Sequence, residues 1–414
     1  MKASTILLAY TYFKQPWNMS SGDEVRIHSI LSNIAKSHRV KVIVFNISPF
    51  VEGFESKAVD DVIYITLPRR FYTLVSRITK WNKHYDYNPL MKITHYIDEL
   101  LVAYKLRSLL SRARILMIFG TMSLFSFMAR CLGARRPLII YDPLANYAQT
   151  LYVVSRKNLL KIPRYGLYLA LQKLEIRGAD IVLYPSRIDL ENAQRMFKPK
   201  KAIVIPNPAP VCYESIEEYM KYRSKRIDND RPYFILLAGG RWRANEEAVK
   251  ITIEVFNDLP SEKFKLIITG PWQDMEKYVK NPSIELLGVV PREKLKELLA
   301  ISDYGLSPVF SHSAGTFVKV LTYLSAGLRV IASQYSVIGL DTAYYSRIHV
   351  VRDKEEFSRR VREIIESYKP GESEKLQVKA CSELYRDLDN LIALVVAESE
   401  GKHLGITGFY DGIL

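Results

Sequence analysis

Short apolar runs of strand length alternate with amphipathic helical segments along most of the chain. Parallel strands need crossover connections, usually helices, so this alternation predicts a parallel α/β architecture. The predicted strands are residues 6–10, 40–45, 62–67, 115–119, 137–141, 180–184 and 202–205, then 234–238, 264–269, 284–286, 304–309, 330–332 and 349–351. The predicted helices include one that begins at Gly22 and residues 123–132, 245–257, 292–300 and 374–400.

A proline-rich break divides this pattern into two halves. A chain of 414 residues exceeds the usual size of one hydrophobic core. The sequence Pro-Asn-Pro-Ala-Pro at 206–210 removes backbone donors and disfavours helix, which indicates a linker. We therefore predict two Rossmann-like, doubly wound domains, 1–208 and 209–373, that face each other across a cleft. A helical tail, 374–414, is expected to pack back on the first domain.

The charge balance and the cysteines restrict the class of partner and the compartment. A net charge of +15 predicts an anionic partner, unless it only reflects a generally basic host proteome. No nucleic-acid motif is present and the basic residues are dispersed, which argues against nucleic acid. The 3 cysteines lack metal or redox spacing and are expected to be buried thiols in a reducing compartment. With no signal-peptide pattern or long apolar segment, we expect a cytoplasmic protein.

Unusual residues follow four of the predicted strands, where ligands of open parallel sheets bind. They are Gly22, Asp23, Arg26 and His28 after the first strand, Asp142 and Asn146 after 137–141, Gly240 and Arg241 after 234–238, and residues 313–319 after 304–309. Each has a simpler explanation: Gly22 as a turn glycine, Asp23 as a helix N-cap, Asp142 as the end of a strand. Their arrangement, two groups in each half, favours a functional site.

The segment 305–333, GLSPVFSHSAGTFVKVLTYLSAGLRVIAS, combines a strand, a small-residue turn, a helix and another strand. The turn leaves unpaired backbone N–H groups at a helix N-terminus, which favours an anion. Lys319 in the first helical turn adds a positive charge, although it is equally consistent with a solvated lysine. The pattern predicts a site for a phosphate-bearing ligand.

Several stretches spread over nearly the whole chain resemble the family 4 glycosyltransferases, which have the GT-B fold. They are SGDEVRIHSILSNIAKSHRVKVIVF, ADIVLYPSRIDLENAQ, AIVIPNPAP, FILLAGGRWRANEEAVK, LIITGPW and, most specifically, AGTFVKVLTYLSAGLRVIAS. The resemblance implies transfer of a sugar, with retention of configuration, from a nucleotide-sugar donor bound by the second domain. The acceptor would bind the first domain, and neither a metal nor another cofactor is expected.

The resemblance also implies roles for individual residues. The donor-binding residues would be Gly22, Gly240, Arg241, Gly270, Ser313, Gly315, Thr316, Lys319 and Thr322. Asp142, Arg241 and Lys319 would be catalytic, the two cations by neutralising the departing diphosphate. The acceptor-binding residues would be Asp23, Arg26, His28 and Asn146.

The chain departs from the family pattern at the positions that carry charge. Ala314 and Thr322 occupy the places of a Glu-x7-Glu pair, and Glu246 stands where a lysine often follows the arginine. Asp142 replaces a customary histidine, and Lys319 could substitute for the missing lysine. Two other functions therefore remain open: a non-catalytic glycosyltransferase-like binding subunit, or a nucleotide-sugar epimerase.

Three segments of the first half, 69–81, 92–114 and 156–168, mix Lys and Arg with aromatic and aliphatic residues. Basic amphipathic segments of this kind suit an anionic lipid surface. They are equally typical of ordinary helices with a buried aromatic stripe and solvated cations. On the first interpretation the acceptor is lipid-linked or another glycan, and the protein is peripheral on the inner membrane face.

Overall fold

The computed structural model forms two compact units. The N-terminal unit comprises Met1–Asn18, Arg26–Ile205 and Asp387–Leu414, and the C-terminal unit comprises Met19–Val25 and Pro206–Arg386. The structure describes residues 5–11, 22–36, 40–48, 54–68, 89–110, 113–120, 125, 128, 131, 137–144, 162–208, 211, 213–241, 243–311, 318–340, 342–369, 393 and 397.

The described part of the N-terminal unit contains an eight-stranded sheet. Its strands are β1 (Thr5–Thr11), β2 (Val40–Ser48), β3 (Glu55–Val59), β4 (Val62–Pro68), β5 (Ile115–Phe119), β6 (Leu138–Asp142), β7 (Ile181–Tyr184) and β8 (Ala202–Val204). Their order is β3-β4-β2-β1-β5-β6-β7-β8, and every pairing is parallel except that of β3 with β4. The strand order reverses between β1 and β5, which makes that position a topological switch point.

Helices cover both faces of this sheet. They are α1 (Gly22–Lys36), α2 (Pro89–Lys105), α3 (Arg107–Leu110), α4 (Ile162–Gly178) and α5 (Arg187–Phe197). Tyr10 points to the α2 face, where its hydroxyl donates to Glu99 at 2.9 Å and its ring stacks on Phe125. Side chains alternate along a strand, so Ala9 points to the opposite face. Its partner Val44 on β2 pairs with Tyr64 on β4, so Tyr64 points to that face too, where it meets His28 of α1.

The C-terminal unit is built on a six-stranded sheet whose described pairings are all parallel. Its strands are β9 (Tyr233–Leu237), β10 (Lys265–Thr269), β11 (Ile284–Gly288), β12 (Tyr304–Ser307), β13 (Arg329–Ser333) and β14 (Ile348–Val351). Its helices are α6 (Ile216–Arg223), α7 (Arg243–Asn257), α8 (Arg292–Ile301), α9 (Val318–Ser325) and α10 (Lys354–Ser367), with 3₁₀ turns at Ser261–Lys263, Gln273–Tyr278 and Thr342–Arg347. The order β11-β10-β9-β12-β13-β14 is that of a dinucleotide-binding Rossmann sheet, with its switch point between β9 and β12.

One buried carboxylate holds the amino end of this second sheet. Asp303 precedes β12 and accepts hydrogen bonds from Tyr233 N at 2.9 Å and from Arg226 Nη1 at 2.6 Å. A second arginine, Arg223, donates to the same carboxylate at 3.1 Å. Arg226 also donates to the hydroxyl of Tyr368, just after α10, at 2.9 Å. These contacts join the start of β9, the residue before β12, α6 with the residues that follow it, and the residue after α10. The beginning of β9 is therefore fixed by side chains.

The predicted α/β fold with two Rossmann-like domains is confirmed, and the differences have physical causes. Strand β3 was missed because its residues, ESKAV, are polar and largely exposed at the edge of the sheet. Helix α6 lies in a charged stretch without a buried residue of its own, so its apolar pattern is weak. Cys131 is exposed, which contradicts the expected buried thiol. The predicted tail helix lies outside the described residues apart from 393 and 397.

Among the residues that the structure describes, no helix is long and apolar enough to cross a membrane.

Replacing Gly305 by alanine is expected to destabilise the C-terminal unit. A Cβ at Gly305 would lie 2.1 Å from the ring of Tyr323, and overpacking of this kind costs about 1–3 kcal/mol. Gly166→Ala on α4 is the matched control, because a Cβ there meets nothing within 4 Å. That change is expected to be neutral or stabilising by up to about 1 kcal/mol. Equal thermal unfolding midpoints for the two variants would contradict the packing described here.

Candidate functional site

At their carboxyl ends, β9 and β12 stop pairing and lie on either side of the Tyr323 side chain. The two strands pair only at Tyr304 with Phe234 and at Gly305 with Ile235. Beyond these pairs the Tyr323 hydroxyl accepts a hydrogen bond from Leu237 N at 2.8 Å and donates one to Leu306 O at 3.1 Å. Burial raises the pKa of Tyr323, so the hydroxyl keeps its proton. The phenol replaces a direct strand pairing, and the separation opens the switch point where Rossmann sheets bind ligands.

The turn after β9 is packed from one side by the segment after β10. Gly270 has φ +116, and a Cβ there would lie 2.0 Å from Ala238 O. The indole of Trp272 donates to the same oxygen at 2.6 Å. Gly270, which was predicted to bind the donor, therefore has a clear packing role beside the Gly239-Gly240 turn.

Arg241 is held in one orientation at the end of this turn. Its guanidinium donates to Asp274 through both terminal nitrogens, and its Nε donates to Pro271 O at 2.7 Å. The group also stacks on Trp272, 4.9 Å from the ring centroid. The hydrogen bond with Asp274 raises the pKa of Arg241 and lowers that of Asp274. Because the pair is half-exposed, it adds little stability but leaves a charged guanidinium presented to solvent.

Lys319 reaches the same turn through Asn245. Its ammonium donates to Asn245 Oδ1 at 2.7 Å, and the amide of Asn245 donates to Gly240 O at 2.8 Å. Asn245 is buried near the start of α7, so it fixes the lysine of α9 beside the turn that follows β9. Burial lowers the pKa of Lys319 to about 7. An anion at this position would restore the positive charge of the lysine.

Glu247, which sequence reasoning missed, holds the beginning of the loop after β12. One carboxylate oxygen accepts from Phe310 N at 2.9 Å and from Ser311 N at 2.8 Å, and the other accepts from the Ser311 hydroxyl. Nothing in the sequence separates this glutamate from its exposed neighbour Glu246. The contact shows that α7 positions both the loop after β12 and, through Asn245, the lysine.

Of the other residues predicted to bind the donor, some lie outside the described residues and others have packing roles. Ser313, Gly315 and Thr316 lie outside the described residues, as does Ala314. Thr322 is fully buried in α9, where its hydroxyl donates to Val318 O at 2.9 Å. Gly22 is packed closely, since a Cβ there would lie 2.9 Å from Val318 Cγ2, and both residues belong to the C-terminal unit.

In the N-terminal unit the structure joins two residues that were predicted to have different roles. Arg26 Nε donates to Asp142 Oδ2 at 2.8 Å, and both side chains are 1% exposed. Arg26 also donates to Ile205 O at 2.6 Å, and Asp142 Oδ1 accepts from Leu144 N at 2.9 Å. Burial raises the pKa of Asp142, and Arg26 opposes this shift. The pair ties α1 to the carboxyl end of β6 and to the chain after β8.

The other predicted acceptor residues are more dispersed. His28 is buried on α1, with Nδ1 2.7 Å from Tyr64 Oη and Nε2 2.9 Å from Asp60 Oδ2. Asp23 is exposed in the first turn of α1. Asn146 lies outside the described residues.

Comparisons with known proteins agree with this architecture. A sequence model of the family described as Glycosyl transferases group 1 matches residues 233–367. The chain has no match among curated protein sequences. Similar solved structures include apo OtsA, with 12% identity, TM-score 0.64 and coverage of 96% of this chain and 99% of that chain. Sucrose-phosphate synthase from Thermosynechococcus elongatus has 11% identity, TM-score 0.65 and coverages of 96% and 98%.

A third similar structure is WaaG, a glycosyltransferase involved in lipopolysaccharide biosynthesis, with 16% identity, TM-score 0.63 and coverages of 96% and 100%. At these identities the structural likeness establishes the fold, which is GT-B. The family match lies within the C-terminal unit and spans β9 to α10. The resemblance to GT-B glycosyltransferases that the sequence motifs indicate is thereby confirmed.

The buried environment of Lys319 predicts a particular dependence of stability on pH. Its pKa is about 7 in the folded chain and about 10.4 in the unfolded chain. Between these values the unfolded chain binds a proton that the folded chain lacks, so this lysine makes the free energy of unfolding rise with pH. Below pH 7 both states carry the proton and the contribution is constant.

The measurement compares urea unfolding of the wild type and Lys319→Met from pH 6 to about pH 10. The wild-type stability is expected to rise relative to the variant above pH 7. Lys250→Met is the control, because Glu246 raises the pKa of this exposed lysine and the same rise is not expected. Parallel pH profiles for the wild type and Lys319→Met would contradict the assignment.

Proposed function

We propose that the protein is a retaining glycosyltransferase that moves a sugar from a nucleotide-sugar donor to a lipid-linked or glycan acceptor. The observation that carries the proposal is the pair of cations at the switch point of the C-terminal sheet. Arg241 ends the turn after β9, and Asn245 ties Lys319 to that same turn. The trehalose-6-phosphate structure from E. coli bound with UDP-2-fluoro glucose has this fold, with TM-score 0.60 and 11% identity, and supports a nucleotide-sugar donor.

The charges fit the chemical demand of this reaction. When the bond between a sugar and its diphosphate breaks, negative charge accumulates on the departing oxygen. Preoriented cations that meet this charge stabilise the transition state more than the ground state. Arg241 and Lys319 supply two positive charges of the kind that a divalent cation provides in other transferases, so we infer transfer without a metal cofactor.

The acceptor half of the proposal concerns the N-terminal unit. Asp142 and Arg26 are enclosed and bound to each other, so we assign them a positioning role: the pair fixes α1 relative to β6. Breaking a buried ion pair by removing one partner is strongly destabilising. Of the predicted acceptor residues on the same helix, His28 is buried against Tyr64 and Asp60 and so supports the helix, and Asp23 is exposed.

A membrane surface is the proposed location of a lipid-linked acceptor. Helix α2 exposes an apolar stripe at helical spacing, consisting of Ile97, Leu100, Leu101 and Tyr104, which are 37% to 54% exposed. Lys105 and Arg107 lie at the end of this stripe and are also exposed. Apolar residues beside cations suit insertion into an anionic lipid surface.

A non-catalytic binding subunit is the second candidate, and Thr322 is the observation that favours it. The family has a glutamate here, but the threonine hydroxyl is turned to the backbone of its own helix. No carboxylate is therefore presented from this position. Such a subunit would still bind a nucleotide sugar through Arg241 and Lys319 but would not turn it over.

Loss of either cation is expected to weaken donor binding. A thermal-shift screen of UDP-glucose, UDP-N-acetylglucosamine, GDP-mannose and ADP-glucose first identifies a donor that stabilises the wild type. Arg241→Ala and Lys319→Ala should each raise its dissociation constant by roughly ten- to a hundredfold, as expected for a charge-assisted hydrogen bond. Arg243→Ala is the matched control, since this exposed arginine is two residues from Arg241 and loses the same charge.

The outcomes separate the candidates. Release of nucleoside diphosphate by the wild type supports the enzyme, and binding without release supports the binding subunit. Unchanged affinity in both alanine variants would refute the phosphate-binding role of these cations.

The α2 stripe is expected to control association with anionic vesicles. Leu101→Ser and Tyr104→Ser should each lower the partition coefficient on phosphatidylglycerol-containing vesicles by roughly fivefold, because each removes apolar area from the contact. Ile227→Ser is the control, since Ile227 is 97% exposed but belongs to the C-terminal unit. Binding is measured by sedimentation at increasing salt, and a wild type that binds no vesicles even at low salt rules out this surface.

A further inference from the structure

Three polar side chains lie side by side at the carboxyl ends of neighbouring strands in the N-terminal sheet. Thr11 of β1 pairs in register with Asn46 of β2, and Asn46 pairs in register with Thr66 of β4. In-register neighbours of parallel strands point to the same face of a sheet. All three side chains are 0% exposed. We call Thr11, Asn46 and Thr66 the polar row.

The polar row is distinguished by the hydrogen bonding of its side chains. In the part of the chain that the structure describes, the hydroxyl oxygens of Thr11 and Thr66 and both amide atoms of Asn46 are buried without a hydrogen-bond partner. Buried polar groups in proteins are nearly always paired, with protein atoms, water or a ligand. Four such atoms in one row therefore indicate an occupant that provides hydrogen bonds.

Two other polar side chains on the same face of the sheet have partners. The hydroxyl of Tyr64, two residues before Thr66 on β4, lies 2.7 Å from His28 Nδ1. Asp142, at the end of β6, is paired with Arg26. The Tyr64 hydroxyl and the Asp142 carboxylate thus differ from the side chains of the row, whose four polar atoms lack a partner among the described residues.

The row lies where a ligand of this sheet is expected. The strand order reverses between β1 and β5, so Thr11 ends a strand at the switch point. The register continues across β5, because Tyr10 pairs with Ile118 and the next residue, Phe119, pairs with Asp142. The polar row and the Asp142–Arg26 pair therefore lie along one line at the carboxyl edge, on the face that α1 covers.

The hydrogen-bonding groups of the polar row indicate which class of ligand it would bind. Hydroxyl and amide groups donate and accept, and none of the three residues carries a charge. A phosphate would require cations, whereas a neutral polyhydroxylated group matches alternating donors and acceptors. We propose that Thr11, Asn46 and Thr66 bind the hydroxyl groups of the acceptor sugar. This inference rests on the proposed function, because it assigns the acceptor to the N-terminal unit.

The burial of the row adds one consequence. Since none of its side chains is exposed, a sugar hydroxyl reaches them only when covering groups move aside. Sugar binding is then coupled to a local opening at the carboxyl edge of the sheet, which exchanges unsatisfied polar atoms for hydrogen-bonded ones.

The test uses isosteric variants of the full chain. Thr11→Val and Thr66→Val replace a hydroxyl by a methyl group, and Thr11→Ser and Thr66→Ser keep the hydroxyl. The probes are the methyl glycosides of glucose, galactose, mannose and N-acetylglucosamine, titrated by saturation-transfer NMR. At least one probe is expected to bind the wild type, and its dissociation constant should rise about three- to tenfold in the valine variants and recover in the serine variants.

Thr252→Val is the matched control. Thr252 is also fully buried with an unpartnered hydroxyl among the described residues, but it lies in the middle of α7 in the C-terminal unit. Its change is expected to leave glycoside affinity unaltered. Thermal midpoints are recorded for every variant, and the valine variants at positions 11 and 66 are expected to be as stable as the wild type or more stable.

Each outcome decides the proposal. Equal glycoside affinity in the valine variants and the wild type, or no binding of any glycoside, overturns it. Lower thermal midpoints with unchanged affinity also overturn it and assign the row to internal water. Nucleotide-sugar binding is measured on the same samples: if it is retained while the glycoside result is negative, only this inference falls. If it is absent while the glycoside result is positive, the proposed donor function falls and the polar row stands.

Discussion

The hydroxyl of Tyr323 is the contact on which the arrangement of the C-terminal unit depends. It lies between Leu237 N and Leu306 O, where two neighbouring parallel strands would otherwise continue to pair. The ring fits only because Gly305 has no side chain. The strands therefore separate beyond the pair of Gly305 with Ile235. One phenol and one glycine thus determine where the two strands stop pairing.

The side chains that we propose to bind the donor are held by groups that are themselves fixed. Asn245 and Glu247 both project from the first turns of α7, one toward Lys319 and the other toward the start of the loop after β12. Arg241 is held by Asp274 and Trp272. Long flexible cations lose rotamer entropy when they bind an anion, and orienting them in advance reduces that loss. The site is thus organised before any ligand arrives.

The sequence predicts the alternation of strands and helices because buried parallel strands are continuous apolar runs, such as ILMIF at Ile115–Phe119. It also indicates Arg241 and Lys319, since each follows a strand. It does not reveal Asn245 or Glu247, whose neighbours have similar composition. Arg26 and Asp142, 116 positions apart, appear in the sequence as separate candidates for two roles, and only the fold shows that they bind each other. Thr11, Asn46 and Thr66 are unremarkable in sequence, because register between strands decides that they are neighbours.

Each of the two sheets has a topological switch point, but the polar side chains near it differ: they are charged in one sheet and neutral in the other. In each, the strand order reverses next to the first strand, and the carboxyl ends there carry the polar groups. At the C-terminal switch point those groups are cations, with Lys319 close enough to neutrality that an anion would change its charge. At the N-terminal switch point the polar row consists of neutral hydroxyls and an amide, and Asp142 is paired with Arg26. In the functions that we propose, the C-terminal unit binds a charged phosphate and the N-terminal unit an uncharged sugar, which are the two ligands that transfer from a nucleotide sugar requires.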